Sequence, residues 1–119
     1  MSYRLFKVVN NLLHYAEIEL DISPSETNLV VLSGKEFLWL KNEYGPNAWE
    51  WNCCGDYRHS CMAGCNLALN EISPMKFIVI VNEIKVSPCD SSFNDVKYAS
   101  CLAVYDYLKI EPRNLPRLI

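Results

Sequence analysis

The 119-residue chain has only two histidines and four glycines, and it contains no G-x-x-x-x-G-K-[ST] stretch. That absence excludes a phosphate-cradling P-loop, which needs the glycine-rich turn and its lysine. With only His14 and His59 as candidate bases, and no third orienting residue implied, the spacing assembles no nucleophilic centre. No enzyme is expected. Long apolar runs are missing too: Phe77 to Val81 is the longest, against the ~20 residues that span a bilayer. The opening MSYRLFKVVNN mixes charge into its apolar residues and offers no small-residue cleavage site, so neither a secretory leader nor membrane association is expected. A basic patch is also lacking. Net charge is −3, and the basic residues are scattered apart from Arg113 and Arg117. Direct nucleic-acid binding is therefore not expected.

Half the residues are apolar (50%) and 21% are charged, the balance of a globular domain large enough to bury one core. A single domain over 1–119 is expected, with 109–119 as an extended, proline-containing tail. A cytoplasmic location keeps thiols reduced, so the six cysteines do not read as a disulfide framework.

Along the chain, YRLFKVV has strand character and Asn10-Asn11 suits a tight turn. HYAEIELDIS alternates: Ala16, Ile18, Leu20 and Ile22 point one way, and Glu17, Glu19 and Asp21 the other. NLVVLSG is a third short strand. KEFLWLKNEYGPNAWEW reads as a short helix through Leu40 followed by a Gly45-Pro46 turn. From Tyr57 a helix is predicted, with Tyr57, Cys61, Gly64, Cys65, Ala68 and Ile72 on one face. KFIVIVNEIKV is the most apolar strand and should be central. Strict alternation places Ile78, Ile80, Ile84 and Val86 on one face, and Val79, Val81, Glu83 and Lys85 on the other. Asp95 is the predicted cap of a second helix carrying Val96, Ala99, Leu102, Ala103 and Leu108. The order β-β-β-α-β-α predicts an α+β domain, a four-stranded sheet with two helices on one face.

The stretch WNCCGDYRHSCMAGC concentrates Cys53, Cys54, His59, Cys61 and Cys65. Cys61 and Cys65 share a helix face, so a tetrahedral zinc site completed by Cys53 or Cys54 and His59 is conceivable. The competing fact is that both fall on the buried face with Tyr57, Ala68 and Ile72, where free cysteine acts as a small hydrophobe. The stretch reads as core, with no metal and no cofactor.

EIKVSPCDSSFNDV (83–96) resembles a stretch of domain IV of elongation factor G, with Glu83, Ile84, Lys85, Val86, Asp90, Ser92, Phe93, Asp95 and Val96 on matching residue types. YAEIELDISPSE (15–26) is similar to the family's Tyr-Ala strand, and AGCNLALNEI (63–72) resembles its first helix. The resemblance runs colinearly over most of residues 3 to 108. It implies a ribosomal-protein-S-five-domain-two-like fold with a left-handed crossover. This chain departs from the family in lacking the nucleotide-binding motif, in joining its first two strands by NNLLH alone, and in carrying Ser91 where the second tip loop has glycine.

What remains is surface recognition. The sheet face turned from the helices is expected to carry Glu17, Glu19, Asp21 and Glu83, an acidic docking surface able to steer a basic partner. Trp39, Tyr44, Trp49 and Trp51 are candidate interface anchors beside a Gly-Pro turn. The expected function is a small inhibitor or immunity protein that neutralises a toxin or basic enzyme by stoichiometric binding. The alternative is a ribosome- or translation-associated factor that mimics or competes with elongation factor G domain IV.

Overall fold

A computed structural model describes residues 2–47, 53–87 and 90–118. The elements run β1 (Ser2–Val9), β2 (Leu12–Pro24), β3 (Leu29–Leu32), α1 (Trp39–Tyr44), α2 (Cys54–Glu71), β4 (Phe77–Lys85) and α3 (Phe93–Leu108). The expected order is present, and the short helix expected through Leu40 begins at Trp39 instead and runs on to Tyr44, just before Gly45. The sheet order is β1-β2-β4-β3. β1 and β4 flank β2 antiparallel, whereas β3 runs parallel to β4 because α2 carries the chain back between them. The sheet is therefore mixed, and α2 and α3 cover one face of it.

The β1–β2 turn follows from its two asparagines. Asn10 and Asn11 hold φ of 52° and 64°, the left-handed pair that a two-residue hairpin turn requires and that asparagine tolerates. In β2 the alternation holds as read: Ala16, Ile18, Leu20 and Ile22 are buried, and Glu17, Glu19 and Asp21 face the other way.

β4 departs from strict alternation. Glu19 pairs with Glu83 but Leu20 pairs with Val81, so Asn82 is an extra residue, a β-bulge. Across it the inward parity switches. Val79 and Val81 point into the core before the bulge, and Ile84 and Val86 point in after it. The expectation for the first half of the strand is thus corrected: Ile80 is 38% exposed on the open face, and Val79 and Val81 are fully buried.

α2 starts at Cys54, three residues before the expected Tyr57, and its predicted face is buried throughout, Cys61, Cys65 and Ala68 completely. At Gly64 the helix lies against α3. A methyl group built on Gly64 would collide with the carbonyl oxygen of Lys97 and sit 3.1 Å from Ser100 Cβ. Only a residue without Cβ allows this approach. α3 is capped by Ser92 rather than Asp95. The Ser92 hydroxyl accepts from the Asp95 N–H and the Asp95 carboxylate accepts from the Ser92 N–H, a complete capping box. The other Asp95 oxygen lies 2.6 Å from His14 Nδ1, which ties the start of α3 to β2 inside the protein. The tail returns along α3: Cys101 Sγ donates to the Asn114 carbonyl, and the Asn94 amide donates to the Arg117 carbonyl.

Two stability outcomes follow from this packing. Val81→Ala should cost about 2 kcal/mol, whereas Ile80→Ala should cost less than about 1 kcal/mol in urea unfolding. Gly64→Ala should cost about 1–3 kcal/mol, because the added methyl meets backbone that cannot rotate away. A neutral Gly64→Ala would show that the helices can separate freely.

Candidate protein-binding surface

The uncovered sheet face is built by parity. β1 contributes Arg4, Phe6 and Val8, β2 contributes Tyr15, Glu17, Glu19 and Asp21, and β4 contributes Ile80, Glu83 and Lys85. Leu29 and Val31 complete it from β3. All four sequence-predicted acids come together here. Val79 and Val81, expected beside them, are in the core instead, and Ile80 takes that place.

The charges form a band across the middle strands. Arg4 Nε lies 4.0 Å from Glu17 Oε1, and Lys85 Nζ lies 3.0 Å from Glu43 Oε1 of α1. The Tyr15 hydroxyl donates to Glu17 at 2.7 Å, and the Asn82 amide donates to Asp21 at 2.8 Å. Burial, then that bond to the neighbouring carboxylate, pushes the Tyr15 hydroxyl up to about 12. Glu19 and Glu83 stand directly opposite one another, and neither has an ion-pair partner among the described residues. Like charges in facing positions destabilise a sheet. Partial burial, and next the Glu19 carboxylate, raise the Glu83 pKa, with Lys85 opposing them. Ser2, Glu17, Ile18, Glu19, Glu83 and Lys85 line a shallow depression of 200 Å³ around the pair.

Exposed apolar side chains flank the band. Phe6 (60%) and Val8 (63%) lie on the β1 side, and Leu29 (51%), Val31 (38%) and Ile80 (38%) on the β3 side. Sequence reading missed these flanks. The alternation of Arg4, Phe6 and Val8 carried the signal for the first, but the second was hidden by the bulge.

Of the aromatic candidates, Trp39 is only 6% exposed, and its indole N–H donates to the Ile84 carbonyl at 2.7 Å. It roofs the core and offers no anchor. Tyr44 is 57% exposed at the end of α1. Trp49 and Trp51 lie outside the described residues.

The thiols of α2 and α3 that face the core are packed structurally. Cys61 and Cys65 are fully buried, and the Cys65 thiol is pushed well up by its hydrogen bond with Cys61 and then by burial. Burial likewise pushes Cys101 up to about 12. Such thiols are poor nucleophiles. Among the described residues no group of three His, Cys, Asp or Glu side chains is placed to hold a metal ion. His14 lines a 390 Å³ cavity with Leu12, Arg117 and Leu118, yet its one hydrogen-bond partner among the described residues is Asp95. That pair ties the imidazole of β2 to the start of α3.

No protein-family model matches this chain, and no curated protein matches it. Solved structures do. The crystal structure of ttk003000868 from Thermus thermophilus superposes with a TM-score of 0.59 at 17% identity, covering 87% of this chain and 14% of that one. At that identity the likeness extends to the fold. This chain thus spans about one-seventh of that protein's length.

The Glu19–Glu83 repulsion has a measurable signature. A carboxyl whose folded pKa is raised binds more protons in the folded than in the unfolded chain. Its contribution to stability therefore falls as pH rises from the ordinary glutamate range through the raised value. Glu83→Gln should remove that part of the pH dependence and leave the protein as stable as wild type or slightly more so near neutrality. Thermal unfolding across the acidic range checks this, and a clearly destabilised Glu83→Gln at pH 7 would contradict it.

Proposed function

We propose that this chain is a non-enzymatic binding domain, a small inhibitor or immunity protein that docks its open sheet face onto a basic toxin or enzyme. The observation that carries the reading is the facing Glu19–Glu83 pair, flanked by Glu17 and Asp21 on the same open face. Lys85, the nearby cation, pairs with Glu43, and a surface that keeps like charges opposed without an ion-pair partner gains free energy when a partner brings lysine or arginine to it. Phe6, Val8, Ile80, Leu29 and Val31 supply apolar area around the charges that a partner could desolvate. The central carboxylates would steer encounter, and the apolar flanks would slow release.

A second reading rests on the colinear resemblance to elongation factor G domain IV. It makes the domain a ribosome- or translation-associated factor that mimics or competes with that domain. Co-sedimentation with ribosomes at moderate salt would favour it, and the acidic face weighs against ribosomal RNA as the contact.

The experiment is affinity capture from an extract of the native host, comparing the wild-type chain with Glu19→Lys combined with Asp21→Lys. Wild type should retain a basic protein in equimolar amount. The double variant should stay folded but associate about tenfold more slowly at low salt, with flattened salt dependence. Equal capture and equal kinetics by both would remove the acidic face from consideration.

A further inference from the structure

β1 is an edge strand, since the sheet order leaves its outer side unpaired. The two-residue Asn10-Asn11 turn makes Val9 and Leu12 a hydrogen-bonded pair, and such pairs alternate along an antiparallel ladder. Lys7, Leu5 and Tyr3 therefore exchange bonds with His14, Ala16 and Ile18 of β2. Val8, Phe6, Arg4 and Ser2 direct their N–H and C=O groups outward, and among the described residues no loop or tail backbone bonds to them.

The edge is unusually open. Edges are ordinarily blunted by shortness, proline, bulges or charge. β1 has eight residues, no proline and unbroken register with β2, whereas β3 at the opposite edge has only four residues. Its one defence is cationic: Arg4 and Lys7 are exposed, and β1 contains no acid. A second copy brought edge to edge would set cations among cations and offer no carboxylate to either. The inner neighbour shows what β1 accepts. Glu17 faces Arg4, and Tyr15 faces Phe6 with their rings edge-on at 6.3 Å.

We propose that the β1 edge accepts an extended, acidic segment of another protein as a fifth strand. The segment alternates carboxylates with aromatic or aliphatic side chains. Its backbone bonds to the outward groups of Ser2, Arg4, Phe6 and Val8, and its carboxylates, which all lie on one side of it, meet Arg4 on the open-face side. This edge is cationic where the centre of the open face is anionic, so the two take partners of opposite charge. Arg4, Phe6 and Val8 border both, but the edge binds through their backbone and the face through the β2 and β4 acids, so either proposal can fail alone.

The probe is a labelled peptide, Tyr-Ala-Glu-Ile-Glu-Leu-Asp-Ile, with the acid and apolar alternation of residues 15–22. Amide exchange in the free chain should be fast at Arg4, Phe6 and Val8 and slow at Tyr3, Leu5 and Lys7. Saturating peptide should slow the first set. Phe6→Pro removes an outward N–H without touching the β2 ladder and should abolish binding. Arg4→Glu, which leaves the backbone intact should the proline variant fail to fold, should weaken binding roughly threefold to tenfold. A peptide with lysine in place of its acids should bind more weakly still. Unchanged exchange at Arg4, Phe6 and Val8, or equal binding of both peptides, would overturn the proposal. So would slowing of those amides as the free chain is concentrated, which would make a second copy the occupant.

Discussion

One extra residue, Asn82, decides which way the central strand faces. Side chains alternate along a strand with period two, so an insertion reverses every direction beyond it. Without the bulge, β4 would have to expose either Val79 and Val81 or Ile84 and Val86. Each such side chain is worth about 1.5–3 kcal/mol when fully buried. With it, all four enter the core. The same insertion brings Glu83 opposite Glu19 and leaves Ile80 outside beside Asp21. The acidic centre and the apolar β3 flank are thus two products of one irregularity.

The helical layer meets a different constraint, that of distance. α2 and α3 pack at Gly64, with Cys61, Cys65, Ala68, Ala99, Ser100 and Ala103 buried on their inward surfaces. Small side chains permit the approach, and that explains the cysteine-rich helix better than metal chemistry does. Sulfur here fills space that a methyl group would leave partly empty. The His14–Asp95 contact then fastens this layer to the hairpin, using a carboxylate already engaged in capping α3.

Much of this was legible. The clean alternation in β2 fixed its faces, because no irregularity on that strand interrupts the period. The three- and four-residue spacing of Tyr57, Cys61, Cys65 and Ala68 located the buried side of α2 for the same reason. What escaped was non-local. A bulge depends on how two strands pair, and NEIK looks no different in sequence whether or not Asn82 is skipped. Trp39 reads as an anchor by residue type, yet its indole N–H finds the Ile84 carbonyl across the fold. The Ser92 cap was confused with Asp95 because each side chain serves the other's backbone.

The sheet has one face filled by helices and the other acidic at its centre, and the proposed function rests on that open face. The central claim is that Glu19, Asp21 and Glu83 meet the partner. Carbodiimide labelling of carboxylates, read by mass spectrometry on the chain alone and with its captured partner, tests it most directly. The account predicts that the complex shields Glu19, Asp21 and Glu83 while exposed Asp56 on α2 and Glu111 in the tail label as before. Shielding of Asp56 or Glu111 with the open face still reactive would contradict it and place the partner on the helical side.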